Sequence, residues 1–589
     1  MTESSGEFVM TSIRAKSLAA VALFALQAGL MPGSASAADF RAEFPPQYTD
    51  TPMGVNLQSG KFRYWPYSFS MGPFQLERGF NKSDFQFLGN TYVRTLPAVG
   101  GGTVTVRSVS LGDLSMDFVN PDGSWNYWWS TTSVGWKFKS DNPGFTLTDR
   151  SGNTYKYSEY GSFNPPKARV TLITYADGST ISASYDASDR VTFLESNRGY
   201  AMRYEYLSGG AQIKVCGFNR ANTYATAATS CSASTYSLTL NYSAPGGTLN
   251  SVVDLAGLTS TLSYIGGLTQ CMTLPGSATC EFNNIYGPQP GEAPQATKAD
   301  QVRIQTDANG NSYTYEYNNG PTGDDPPRYP GGPPVISSAS MNGPGFSADG
   351  YYENGLLTQL SAPGGGPSYF EYDGVNLKKA RYTDGRDITI TRDYAGNAKV
   401  IVENPKPASG AAAITRTQTF PNMNLYANPN ICQGASEKLC DKPTAQVDGR
   451  NNQTDYTYDS AHGGVLTMTL PAGANGIRPQ TRYEYAQRYA LVKNSGGSYV
   501  NATSPIWVKT RERFCKTTAA SGQTCAGGSA DEVITDYDYG PTSGAPNNLL
   551  LRGVAVTADG VTRRTCYGYD ANGRKISETQ PNASLSVCP

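Results

Sequence analysis

Histidine is almost missing from this chain: His462 is the only one in 589 residues. A single imidazole leaves little room for a His-dependent triad or a His-rich metal centre. Net charge is nearly missing too, since 47 Lys and Arg face 48 Asp and Glu, leaving −1, with no basic run or stripe. Nucleic-acid binding needs clustered positive charge for its phosphate contacts, so no nucleic-acid partner is expected. After the first forty residues neither a long apolar run nor an amphipathic helical pattern remains. Helix content should therefore be low, and no transmembrane anchor is expected.

Motifs of catalysis are scarce. Gly-x-Ser-x-Gly does not occur. Cys-x-x-Cys is absent as well, which with one histidine argues against zinc. Residues 54–61 resemble a phosphate loop only superficially: five residues separate Gly54 from Gly60, and Phe62 stands where a Ser or Thr would bind the metal. A turn between two strands explains them better. His462, within Ala461-His462-Gly463-Gly464, reads as a solvated turn position. Asp307-Ala308-Asn309-Gly310-Asn311 and Asp570-Ala571-Asn572-Gly573 look like the start of calcium loops but lack the remaining ligands and the closing Glu. Asp531-Glu532 is the kind of acid pair a glycosidase uses, yet nothing local sets the required separation. No catalytic residue, metal ligand or cofactor site is assigned, and no enzymatic activity is expected.

What the chain has in quantity is tyrosine and glycine, with 39 Tyr against 21 Phe and 63 Gly. That balance favours many short strands and tight turns, because Tyr packs its ring while keeping its hydroxyl satisfied. A unit recurs. Its fullest copy is Tyr567-Gly568-Tyr569-Asp570-Ala571-Asn572-Gly573-Arg574-Lys575-Ile576. Degraded copies begin at Tyr185-Asp186, Tyr372-Asp373 and Tyr458-Asp459, and Asp384-Gly385-Arg386 repeats the turn. Tyr204-Glu205-Tyr206, Tyr315-Glu316-Tyr317, Tyr483-Glu484-Tyr485 and Tyr537-Asp538-Tyr539 repeat the strand. Tyr-x-Tyr places both rings on one face of a strand. The following Asp bonds backbone two residues on, and Asn-Gly supplies positive φ for a tight hairpin. Arg or Lys opens the return strand, with Ile576, Val191 or Leu377 expected to face inward. Asp177-Gly178 marks a further hairpin. Such units cannot bury their apolar faces alone and must stack.

These motifs resemble the Rhs/YD-repeat family: bacterial Rhs proteins, the shell-forming subunits of insecticidal Tc toxins and teneurin ectodomains. Residues 569–574 carry the hallmark in full, and the partial pattern spans roughly residues 145 to 582. The resemblance implies an all-β fold, with hairpins arrayed into an extended or spiralling β-sheet shell around a cavity. Residues 54–62, Met71-Gly72-Pro73 and 76–81 are similar to the segment that precedes the repeats in Rhs proteins. Toxin-bearing relatives end their shell at an Asp-Pro-x-Gly core followed by an effector. Neither is found here, so self-cleavage and toxin activity are not expected, and an unpaired strand is expected at the C-terminal end.

Three regions follow. Residues 1–37 read as a signal peptide: Arg14 and Lys16, an apolar run over 18–26, and Ala35-Ser36-Ala37 for cleavage, with Met10 an alternative start. Residues 38–140 form a small N-terminal β-rich entry or plug region with a cluster at Trp125, Trp128, Trp129 and Trp136. Residues 141–589 form the repeat array, interrupted by Pro/Gly-rich loops at 286–296, 319–334, 403–413 and 540–547. The ten cysteines fall into neighbouring pairs, Cys216 with Cys231, Cys271 with Cys280, Cys432 with Cys440, Cys515 with Cys525 and Cys566 with Cys588. In an exported protein (periplasmic, cell-surface or extracellular) local bridges are the preferred connectivity, each worth about 2–4 kcal/mol. Function then divides three ways: a partial structural shell partnered by a downstream Rhs shell or toxin polypeptide, a carbohydrate-binding or adhesion module recognising cell-surface glycans, or a carbohydrate-active enzyme.

Overall fold

A tyrosine at the end of one strand reaching back to a strand begun fifteen residues earlier is the recurring joint of this fold. The computed structural model describes residues 51, 53–62, 69–76, 90–97, 103–111, 114–119, 127–130, 136–141, 143–161, 167–288, 298–319, 336–344, 346–353, 356–361, 366–373, 376–393, 396–421, 438–522, 524–581 and 587–588. Those residues are 57% strand, paired antiparallel mostly with neighbours in sequence, and the helical segments described among them are short 3-10 turns such as Ser208–Gly210. No helix among them is long and apolar enough to cross a membrane. The expected all-β array is what forms. The 1–37 leader, Trp125 and the Pro/Gly-rich stretch at 321–330 lie outside the described residues.

The hairpin is built as follows. In the Asp570 turn, Asp570 N–H donates to the Arg574 carbonyl and Gly573 N–H to the Asp570 carbonyl, at 2.9 and 3.0 Å. Asp149, Asp186, Asp254, Asp307, Asp393 and Asp448 head turns with the same two bonds. Only the fourth residue has positive φ: +84° at Gly573, +62° at Asp189, +63° at Asn451. This is a three-residue loop with one left-handed residue, and where Asn-Gly is present its glycine supplies the positive φ expected for a tight hairpin. The aspartate locks it. Asp570 Oδ1 accepts from the N–H of Asn572 and of Arg574, both at 2.9 Å, and Oδ2 from Arg574 Nε at 2.6 Å. In other turns an asparagine supplies that last donor, as Asn311 Nδ2 does to Asp307 at 2.9 Å.

The register then slips by one residue just before Tyr185, Tyr242, Tyr264, Tyr372, Tyr458, Tyr485 and Tyr569. The slip leaves an extra residue on the partner strand, a β-bulge that turns the spare side chain outward. Tyr185 opposes Val191, so Thr192 is spare, whereas Tyr569 opposes Lys575, so Ile576 is spare. Val191 is accordingly buried and Ile576 is 69% exposed, which corrects the inward position expected for Ile576. Beyond the bulge the phenol swings toward the preceding strand. Tyr185, Tyr264 and Tyr458, and also Tyr206 on a ladder without a bulge, donate to the carbonyls of Val170, Leu249, Pro443 and Val191 respectively, each fifteen residues back, at 2.5–3.0 Å. Burial pushes these phenols up, to about 12 for Tyr264, so they stay protonated donors at any physiological pH.

The chain divides into two compact units. The unit of Met1–Tyr64 with Phe282–Pro367 carries consecutive strands Val302–Asp307, Ser312–Asn319, Ile336–Gly343, Phe346–Glu353 and Leu356–Ser361. Its N-terminal piece is docked by a buried polar chain: Tyr315 donates to Gln305 Oε1, and Gln305 Nε2 to Asn284 and the Met53 carbonyl. Here 54–62 is indeed a turn, closed by the Val55–Phe62 bridge.

The unit of Trp65–Glu281 with Ser368–Pro589 holds the other ladders. Strands from Asn90–Pro97 to Lys167–Thr174 pair each with the next, across residue 140 without a break. Lys167–Thr174 pairs along one edge with Thr154–Tyr160 and divides its other edge between Asn90–Pro97 and Thr180–Tyr185. The sheet thus branches there and continues through Leu268–Thr273; it is not a closed barrel. Cys216–Cys231, Cys271–Cys280, Cys515–Cys525 and Cys566–Cys588 are bridged as neighbour pairing expects. Cys440 is disulfide-bonded too, and Cys432 lies outside the described residues.

Two substitutions test this construction. Tyr458→Phe deletes the bond to the Pro443 carbonyl and is expected to lower local stability by about 0.5–1.5 kcal/mol. Amide exchange of strand Gln453–Tyr458 measures it, and protection equal to the parent would refute the joint. Gly257→Ala meets no atom within 4 Å, so its cost of about 1–2 kcal/mol comes from φ alone. Gly573→Ala should cost more, because its Cβ would lie 2.2 Å from the Tyr200 hydroxyl. Equal unfolding midpoints for the two variants would contradict that packing.

Candidate functional site

The candidate residues separate into three places, all within the larger unit. The first surrounds His462. Its turn is headed by Asp459, whose Oδ1 accepts from Ala461 N–H at 2.7 Å and His462 N–H at 3.2 Å. The imidazole is buried rather than solvated, correcting the sequence reading. Its ring centroid lies 4.3 Å from that of Tyr485 and 4.8 Å from that of Trp507. Nδ1 accepts the Gly464 N–H at 3.0 Å, which fixes the neutral ring with its proton on Nε2. Burial is the main reason its pKa falls below the ordinary value, with Lys438 and Lys442 reinforcing and Asp459 opposing.

The second place is the Asp531–Glu532 pair beside the Cys515–Cys525 bridge. Asp531 accepts from Thr517 N–H and Oγ1 at 2.7 and 2.8 Å, and from Thr518 N–H and Oγ1. The Thr518 hydroxyl leads these donors in holding the carboxyl at about 2. Glu532 pairs with Arg513 at 3.3 Å and Arg482 at 3.6 Å. Arg482 is itself buried, and its Nη1 donates to the carbonyls of Gly522 and Thr524 at 2.7 and 2.8 Å. A glycosidase acid needs a raised pKa and open access to substrate. Asp531 has the opposite character, since its acceptor positions are spent on closing the 516–531 loop. Cys515, Cys525 and Asp531 bring their ligand atoms within 4.8 Å, but the two sulfurs are joined to each other and offer no thiolate.

Sequence reasoning missed the third place. The Asp441 side chain is only 8% exposed and lies beside Arg150, at 3.5 Å, and Arg150 also donates to Asn397 and the Gly396 carbonyl. Burial, the largest influence, raises the Asp441 carboxyl above its usual range despite Arg150 and Lys137. The partners come from the turns at 149–153 and 393–397 and from the 438–442 segment. No local pattern connects residues so far apart in the chain, so no motif could have flagged them.

The calcium-like turns are accounted for by folding. The Asp307 and Asp570 oxygens accept two backbone N–H groups and one side-chain donor each. The exposed tyrosines among the described residues are Tyr92, Tyr224, Tyr351, Tyr369 and Tyr489, each more than two-fifths exposed. Trp136 stacks on Tyr155 with centroids 6.5 Å apart.

No protein-family model matches the chain, and no curated protein does. Among solved structures, similarity is found to TcdB2-TccC3 without its hypervariable C-terminal region, at 10% identity and TM-score 0.29, over 80% of this chain. Two further TcdB2-TccC3 structures, with TEV and with Cdc42 in their descriptions, give 10% identity and TM-scores of 0.28 and 0.27 over 82%. The chain spans 27% of the length of those proteins.

The acceptor role of Asp531 predicts that Asp531→Ala frees the 516–531 loop. Losing about 1 kcal/mol of local hydrogen bonding should speed reduction of Cys515–Cys525 roughly fivefold or more. Thiol trapping during dithiothreitol treatment reports the rate, and an unchanged rate would remove Asp531 from the loop's support.

Proposed function

We propose that this protein is an exported structural scaffold, a β-shell of YD-repeat type. The observation that carries the reading is the return of the late ladder onto the early one within the larger unit. Asn219 and Asn222 donate to the Ala571 carbonyl at 2.9 and 3.0 Å, across about 350 residues of sequence. Asn548 likewise donates to the carbonyls of Arg198 and Gly199, both at 3.0 Å. Asn197 bonds Ser504, 307 residues away, at 3.0 Å through its Oγ. A ladder whose turns are spliced to strands hundreds of residues later is coiled, and a coil of sheet is the framework a shell needs.

Other features support the reading. The hydroxyls of Tyr185, Tyr206, Tyr264 and Tyr458 and the carboxylates of the repeated turns are engaged in joints of the array. The cystines fit an oxidising compartment outside the cytoplasm. A further shell or toxin polypeptide is the partner this reading implies.

Small-angle scattering of the purified chain tests the proposal. A solid globule of this length has a radius of gyration of about 25 Å. A hollow coil should give a clearly larger value, with pair distances weighted toward the maximum. A radius at the solid-globule value would overturn the shell.

A further inference from the structure

The seam joining early turns to late strands contains the chain's sole histidine, the side-chain type whose ordinary pKa lies nearest neutrality. Three segments meet around it. The Asp177 carbonyl, in the early Asp177-Gly178 turn, accepts the Trp507 N–H at 2.7 Å. Asn197 Nδ2 spans from the Gly178 carbonyl, at 2.9 Å, to Ser504 Oγ, at 3.0 Å. Lys438 Nζ bonds the Ala176 carbonyl at 3.1 Å and the Ala461 carbonyl at 2.5 Å, so the residue before His462 is tied to the early turn. His462 fills the angle between these ties, its ring against Trp507 on one side and Tyr485 on the other.

The space is full. A Cβ added at Gly464 would lie 2.7 Å from His462 Nδ1 and 2.8 Å from Tyr485 Cζ. Nδ1 is committed as an acceptor to the Gly464 N–H. Protonation there sets two N–H donors against each other and places a cation in a buried site. Lys438 and Lys442 oppose the new charge; Asp459, whose Oδ1 is 3.5 Å from Nε2, and Asp177 favour it. The faces of Tyr485 and Trp507 also attract a cation, but they cannot restore the lost acceptor. Burial and the lost acceptor outweigh these attractions.

We propose that His462 is an acid-sensitive latch: neutral, it holds the 175–179 turn to the 459–464 and 504–508 segments, and protonation releases that seam. The sign follows from linkage. The folded ring gives up its proton more readily than the unfolded one, so the unfolded state binds more protons as pH falls. Stability is therefore unaffected well above the ordinary histidine pKa of 6.5 and is lost progressively below it. The latch is independent of what the scaffold encloses, and a hollow or a solid particle would open alike at this seam.

Because the chain has one histidine, a 13C-imidazole label gives one resonance to follow. Its midpoint should lie below 6.5, and a midpoint at or above 6.5 would overturn the proposal. Amide exchange, corrected for intrinsic rates, is then compared between about pH 7.5 and about pH 5, a window that brackets histidine titration. Protection in 175–179, 459–464 and 504–508 should fall severalfold at the lower pH, in the direction that a lowered folded-state pKa dictates. His462→Asn keeps an acceptor for Gly464 N–H but does not titrate, and its seam should hold at both pH values. Seam opening that persists in His462→Asn assigns the effect to the carboxylates and defeats the latch. Should that variant not fold, the resonance titration of the parent still decides.

Discussion

Everything in this structure depends on a phenol hydroxyl donating to the main chain of a neighbouring strand. An antiparallel hairpin is marginal on its own, and a long array of them needs ties beyond the ladder. The Tyr-to-carbonyl bond supplies a tie at a fixed interval, and the bulge beside it aims the ring. Phe in the same place would bury as much area but leave the carbonyl without its second donor. The preference for Tyr over Phe is thus a consequence of geometry. At residue 392 an arginine takes the position and Nη2 reaches the Leu377 carbonyl, again fifteen residues back. The joint needs a long side chain ending in a donor, and tyrosine is the stiffest one available.

The motif's arginine belongs to the same joint. Arg190 donates Nε to Asp186 while its guanidinium lies 4.0 Å from the centre of the Tyr206 ring. It thereby clamps its own turn and caps the tyrosine of a following strand. Arg169 does the bridging work from a strand, 3.9 Å from Tyr185 and 4.8 Å from Tyr160. Lysine could carry the charge but not the flat, forked contact with both Asp and ring.

Local features were legible in the sequence and distant ones were not. Asp-x-x-Gly with Tyr-x-Tyr announced strand, turn and strand because every bond in that unit spans a few residues. The neighbour pairing of cysteines was legible for the same reason. The bulge was not, since whether Val191 or Thr192 faces inward depends on the partner strand's register and not on side-chain type. That is how Ile576 came to be placed on the wrong face. His462 misled for a related cause: Ala461-His462-Gly463-Gly464 has the composition of an exposed turn, and only Tyr485 and Trp507, 23 and 45 positions later, bury it. Asp441 with Arg150 and Arg482 with Glu532 are likewise products of chain return.

The aspartates of the repeated turns accept from their own backbone, Asp531 accepts from two threonines, and Tyr185, Tyr206, Tyr264 and Tyr458 donate to main-chain carbonyls. Two buried titratable groups, Asp441 and His462, lie where residues distant in the chain meet. Among the described residues, charge and hydrogen bonding thus join one strand to the next and early segments of the chain to late ones. A molecule organised in that way is specified by how it is assembled, and its sensitive points are its seams.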